Sequence, residues 1–225
     1  MKYKGIIFDF NGVLFWDNLI TEKSWKMYSK KLRGYELNEE EIKYKVHGIK
    51  NSVILEYLLQ RKLDENESYR MTIEKEDLYR SLCLEAGSEF QLSPGAIELF
   101  EFLQEYKIPF TIATASEETN VDFFIKHLQL DKWFVKEKMV FDDGTHEGKP
   151  HPDIYQLAAK RIELPPEECI VVEDAVAGIE SAHKAGIGFI AALGDKEKHS
   201  ELAALEGVNL VVESLNDLPR DMFLL

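Results

Sequence analysis

The sequence predicts an α/β fold, a parallel sheet covered by helices on both faces, with an all-α bundle inserted near its start. Three observations predict it. The chain opens on a short apolar run, Gly5-Ile6-Ile7-Phe8, that ends at an acid, Asp9. From Asp17 to about Ala86 apolar residues fall at helical spacing, with charges between them and no proline. After Ser93-Pro94-Gly95, short apolar runs alternate with helix-length segments to the end of the chain.

The opening run has the length of a strand buried on both faces. In the next stretch Trp25, Tyr28 and Leu32, and later Val53, Ile54, Tyr57 and Leu58, mark apolar stripes. Turn-like points at Arg33-Gly34-Tyr35 and His47-Gly48 divide it into several antiparallel helices. Ser93 reads as a helix N-cap with Pro94 at the first helical position. The segments that follow are a strand at Pro109–Ala113, a helix near Glu117–Leu128, a strand at Met139–Phe141 and a helix at Pro152–Arg161. A strand at Cys169–Val172, a helix at Val176–Ala185 and strands at Gly188–Ala191 and Asn209–Val212 complete the pattern. Strands separated by helices of this length are βαβ units. The expected architecture is a Rossmann-like three-layer αβα sandwich. Residues 1–15 and 88–225 form its core, and residues 16–87 form a helical cap domain.

Composition narrows the function. The formal net charge is −14, with 27 Lys plus Arg against 41 Asp plus Glu. Such a chain repels nucleic acid and anionic membrane, and no basic run offsets this locally. The same field repels phosphate, so a phosphate site needs a bound cation or a local lysine. The two cysteines, Cys83 and Cys169, lack metal-type spacing and read as buried thiols. No signal-peptide pattern or membrane-length apolar run is evident. The expectation is a cytoplasmic monomer.

In an open parallel sheet, ligands bind beyond the carboxyl ends of the strands. The residues placed there are Asp9 and Asn11, Thr114 and Ser116, and Glu173 and Asp174, with Lys149 leading into the Pro152 helix. That set matches phosphoryl transfer. Asp9 and Asp174 are hard oxygen ligands suited to Mg²⁺, which cancels the repulsion between an anionic nucleophile and an anionic phosphate. Thr114 and nearby backbone N–H groups can bind phosphoryl oxygens, and Lys149 can add a point charge. A carboxylate nucleophile would form an aspartyl-phosphate. Singly, each residue has an ordinary reading: a solvated acid, a helix cap, a surface lysine. Their recurrence at equivalent strand ends carries the expectation.

These segments resemble the haloacid dehalogenase superfamily, in the subgroup with a helical cap after the first strand. Phe8-Asp9-Phe10-Asn11-Gly12-Val13-Leu14 is similar to the first motif, which usually reads Asp-x-Asp-Gly-Thr/Val. Thr111–Ser116, Gly148–Asp153 and Val171–Gly178 resemble the second, third and fourth. The overall flavour is that of β-phosphoglucomutase-like phosphatases. The resemblance implies a Mg²⁺-dependent phosphatase acting on a small phosphorylated metabolite such as a sugar phosphate. By it Asp9 attacks phosphorus, Thr114 and Lys149 hold the phosphoryl group, and Gly12, Ala115 and Ser116 line the substrate site. The metal ligands it implies are Asp9, the main-chain carbonyl of Asn11, Glu173 and Asp174.

Asn11 is the main departure, because the superfamily places there the aspartate that protonates the leaving oxygen. An amide donates a hydrogen bond but no proton, and general acid catalysis is worth about 10²–10⁴ in rate. Three readings follow: a leaving group that needs little protonation, another acid, or a weakly active phospho-metabolite-binding protein. A sugar-phosphate mutase is the related alternative. Mutases of this type carry an arginine after a cap glycine, whereas the matching stretch here is His47-Gly48-Ile49-Lys50-Asn51-Ser52. His47, Lys50 and Trp16 are the candidate substrate contacts outside the core, and Asn120 is a candidate for orienting Asp9 or the phosphate.

Overall fold

The computed structural model describes residues 3–223. Six strands form one parallel sheet: β1 (Gly5–Phe8), β2 (Phe110–Glu117), β3 (Val140–Asp142), β4 (Cys169–Glu173), β5 (Phe189–Leu193) and β6 (Val208–Val212). Their order is β3-β2-β1-β4-β5-β6. The first strand therefore lies between β2 and β4, with Phe8 opposite both Ile112 and Val172. Strand order reverses at β1, which is where such a sheet opens a crevice.

The alternation of side chains splits the core in two. Ile6, Phe8, Ile112, Ile170 and Val172 pack one face, together with Leu99, Phe100 and Leu103 of α5 (Ala96–Glu105) and Phe124 of α6 (Glu118–Leu128). Ile7, Ala113, Val171 and Ile190 face the other, against α7 (Asp153–Arg161) and α8 (Val176–Lys184). A strand buried on both faces reads as a continuous apolar run for this reason. A short helix, α9 (His199–Ala203), precedes β6.

Between β1 and β2 the chain inserts α1 (Asn18–Arg33), α2 (Glu39–Lys45), α3 (Asn51–Leu59) and α4 (Glu65–Glu85). These helices enclose an apolar cluster of their own, built from Trp25, Tyr28, Ile42, Ile54, Leu55 and Leu58. Asn38 and Glu41 close a reciprocal capping box at the start of α2, and Asp64 accepts the Glu67 N–H at the start of α4.

Two local expectations change. Helix α5 begins at Ala96, after Gly95, and Ser93 does not cap it. Its hydroxyl donates instead to the Val13 carbonyl at 2.7 Å, which ties the β1 loop to the second half of the chain. Strand β2 runs four residues beyond Ala113, because its extension pairs Glu117 with Asp142 of β3. Both cysteines are buried and unpaired. Among the described residues no helix is long and apolar enough to cross a membrane.

Candidate active site

Adjacency of β1, β2 and β4 brings their carboxyl ends to one cleft beneath the inserted helices. From the core it is lined by Asp9, Asn11, Thr114, Ala115, Ser116 and Asp174. From the insertion it is lined by Trp25, His47, Asn51, Lys75, Glu76 and Tyr79, and Asn120 of α6 also borders it.

Lys149 is the pivot of the core side. Its Nζ donates to Asp9 Oδ1 and to Glu173 Oε1, both at 2.6 Å, and its side chain is fully buried. Burial alone would strip the ammonium of its proton, but the two carboxylates hold its pKa above the ordinary lysine value. Asp9 is pushed up to about 7, by burial first and by the Glu173 charge, with Lys149 pulling the other way. Asp174 is raised well above the usual carboxylate range by burial and by the nearby Glu173 and Asp9 charges. Too many negative charges share this spot for one lysine to neutralise.

That excess tests the site for a metal. Oxygen atoms of Asp9, Glu173 and Asp174 all lie within 4.8 Å of one another. Three hard carboxylate donors this close, two of them (Asp9 and Asp174) with raised pKa values, suit a divalent cation such as Mg²⁺. The Glu173 carboxylate is also engaged elsewhere. Its Oε1 accepts from Lys149 and from Tyr155 (2.9 Å), and its Oε2 accepts the Ala175 N–H (2.8 Å). Asp174 is freer, accepting only Asn18 Nδ2 at 3.1 Å among the described hydrogen bonds.

Two glycines make room for these acids. A Cβ on Gly12, whose φ is +80°, would stand 2.1 Å from Asp174 Oδ2. A Cβ on Gly178 would stand 1.5 Å from Glu173 Oε1. Either substitution would force a carboxylate out of the cluster.

Asn11 sits in a different network. Its Nδ2 donates to Asp17 Oδ2 (2.7 Å) and to the Tyr79 hydroxyl (3.0 Å), while its Oδ1 accepts from Ser116 Oγ (2.9 Å). Asp17 is wholly buried and also accepts from Tyr79, Thr21 and the Gly12 N–H. Burial raises the Asp17 pKa, and these donors pull it back. Thr114 Oγ1 accepts the Ser116 N–H at 3.1 Å, ordering the β2 end of the cleft.

The remaining expected residues divide between the cleft and its surroundings. His47 lines the cleft, with its ring 3.4 Å from Glu22. The Lys50 ammonium turns to Asp142 and to the His146 carbonyl, both at 2.6 Å, and is not among the cleft-lining side chains. Trp16 is 48% exposed and lies outside the lining. Asn120 makes no hydrogen bond to Asp9 among the described ones. It donates to Glu76 Oε2 and accepts from Arg80, both at 2.5 Å.

Asp17, Asn18, Lys75, Glu76 and Tyr79 were not anticipated. Lys75 and Glu76 form a buried pair at 2.8 Å, and Lys75 lies over the rings of Trp25 and Tyr79. Asn51 donates to both Glu76 (2.6 Å) and Glu117 (2.5 Å), joining α3, α4 and β2. The charged, proline-free run around Lys75 is compatible with a helix, but nothing in it signals burial.

A doubly wound sheet with an acid-lined cleft at its carboxyl edge is the architecture of a ligand-binding α/β enzyme. A family model described as haloacid dehalogenase-like hydrolase matches residues 3–186, and the chain belongs to that family. Among curated proteins it is 30% identical over 220 residues to hexitol phosphatase A of Escherichia coli (strain K12), covering 97% of this chain and 94% of that one. Among solved structures it resembles a family IA, variant 3 hydrolase of this type from Entamoeba histolytica HM-1:IMSS. That match has a TM-score of 0.87 at 37% identity, over 98% of this chain and 97% of the other. A β-phosphoglucomutase from Clostridium difficile gives a TM-score of 0.80 at 28% identity, over 97% and 94%.

Proposed function

We propose that this chain is a Mg²⁺-dependent phosphatase that hydrolyses the phosphate monoester of a small metabolite through a phosphoaspartyl intermediate on Asp9. The single observation that carries this reading is the Asp9 carboxylate, held by the buried Lys149 at 2.6 Å in an acid-lined cleft. The likeness to a hexitol phosphatase over nearly the whole chain supports it.

In the first step an Asp9 oxygen attacks phosphorus, the ester P–O bond breaks, and its electron pair leaves on the ester oxygen. Lys149 and Thr114 stabilise the charge on the phosphoryl oxygens. Both amide hydrogens of Asn11 are held by Asp17 and Tyr79 and an amide supplies no proton, so the departing oxygen is protonated by water or by a neighbouring substrate hydroxyl. In the second step water attacks the aspartyl-phosphate, releasing phosphate and restoring Asp9. Asp9, Asp174 and the Asn11 carbonyl, with Glu173, would hold the Mg²⁺, whose charge offsets repulsion between nucleophile and substrate.

Residues 16–87 act as a cap over the core formed by 1–15 and 88–225, of which 1–2 and 224–225 lie outside the described residues. Asn51–Glu117, Asn120–Glu76 and Asn18–Asp174 fasten the two together, so substrate entry requires these bonds to open. A mutase needs a cap cation for a second phosphate, and the Lys50 ammonium is already held by Asp142. Phosphate release measured on a panel of phosphorylated metabolites, for wild type and Asp9→Asn, tests the reading. Loss in the variant is expected. Activity at wild-type level in Asp9→Asn would overturn it.

A further inference from the structure

The cleft wall contributed by α3 and α4 has a charge balance that bears on which phosphate ester can enter. Besides His47, Lys75 is the one cationic side chain lining the cleft among the described residues. It is not free to grip an anion. Its Nζ donates to Glu76 Oε1 at 2.8 Å, with both side chains 4% exposed, and it lies 4.7 Å from the Trp25 ring centre and 5.0 Å from that of Tyr79.

Glu76 in turn is kept ionised. Burial opposes its charge, but Lys75, Asn120 and Asn51 together hold its pKa below the ordinary value. Behind Asn51 stands a second carboxyl, Glu117, whose Oε2 is buried and has no hydrogen-bond partner. The other cations of this region are committed. Arg80 binds Asp77 and Asn120, and Lys50 binds Asp142. A second anionic group on a substrate would therefore meet the Glu76 carboxylate with no uncommitted cation beside it.

The same wall is well matched to hydroxyl groups. Beyond the bonds already named, Asn51 keeps its Oδ1 as an acceptor and Asn120 keeps a second amide hydrogen as a donor. A hydroxyl both donates and accepts and can enter such a network without adding charge. Resting on the phosphatase reading above, we propose that the substrate is a monophosphate ester of a neutral polyhydroxylated chain, and that Glu76 excludes esters carrying a second phosphate or a carboxylate. Like charges brought together in a desolvated site cost several powers of ten in affinity, and roughly 10²-fold discrimination is the least expected here.

The test compares a hexitol monophosphate, the matching phosphorylated sugar acid and a hexose bisphosphate. Binding to Asp9→Asn is measured by calorimetry in magnesium-containing buffer, alongside phosphate release by wild type. The hexitol ester should bind at least ~10²-fold tighter than either ligand with an anionic tail. In Asp9→Asn/Glu76→Gln, which keeps the shape of the wall and removes its charge, that gap should narrow at least tenfold. Equal or tighter binding of the sugar acid or bisphosphate, or no binding of any of the three, overturns the proposal. An unchanged gap in the double variant overturns the role of Glu76. Should the double variant not fold, the comparison in Asp9→Asn decides. Selective binding without phosphate release by wild type would sink the phosphatase reading and leave the selectivity standing.

Discussion

The side-chain amide of Asn11 donates to the buried carboxylate of Asp17 at 2.7 Å, so the residue at the family's usual acid position is fitted to an acid six residues further on. Asp17 is fully buried and outside the cleft lining, and it acts on Asn11 by orienting it.

Asn11→Asp should accordingly destabilise the protein. It places two carboxylates against each other and removes the donations to Asp17 and Tyr79. Loss of a buried pairing of this kind costs about 1–3 kcal/mol or more. Asn11→Asp/Asp17→Asn restores a donor opposite an acceptor and should recover most of that loss. Urea midpoints of the three proteins check this. A single variant as stable as wild type would contradict it.

Lys149→Met leaves Asp9 and Glu173 buried without their shared cation. Removing one partner of such a group costs about 3–5 kcal/mol, so the urea midpoint in metal-free buffer at neutral pH should fall markedly. A change within ~0.5 kcal/mol, the range of ordinary surface substitutions, would contradict the burial described for this lysine.

Magnesium should stabilise wild type in proportion to the logarithm of its concentration, by about 2.7 kcal/mol at a hundredfold excess over Kd, and so raise its thermal midpoint. Asp174→Asn removes one of the cluster's oxygen anions and should blunt that rise. A midpoint indifferent to magnesium would argue against a cation among these carboxylates.

Glu117 supplies a pH signature. Burial first, and the Glu76 charge second, push its pKa from 4.5 to about 8. Between those values the folded protein binds a proton that the unfolded chain does not, so this group's contribution to stability falls as pH rises through the window. Lys75 and Asn51 moderate the effect, and Asp142 lies beside it on β3. Glu117→Gln abolishes the titration. Its thermal midpoint should exceed that of wild type by at least ~2 °C above pH 8, with the gain shrinking towards acid pH. A difference independent of pH would contradict the assignment.

The sheet was legible because each strand is a short apolar run, and because a βαβ pattern dictates parallel neighbours. Asp9, Thr114 and Asp174 were found from their positions at strand ends, since adjacency of β1, β2 and β4 delivers them to one place. Ser93 was misread because its sequence is that of a helix cap, whereas its hydroxyl is claimed by the Val13 carbonyl across 80 residues. The insertion hid most. Lys75, Glu76 and Tyr79 belong to a charge-rich helix whose composition is that of a solvated face, and only docking of α4 against α1, α3 and α6 buries them. Asp17 gave no signal either, because a single acid before a helix is an ordinary start to one.

The central claim is that Asp9 carries the phosphoryl group between the two steps. Wild-type protein mixed with a phosphate ester it hydrolyses, quenched in acid within a turnover and digested, should yield the Asp9 peptide bearing one phosphoryl group, sensitive to hydroxylamine. Phosphate release proceeding at full rate while that peptide stays unmodified throughout would contradict it.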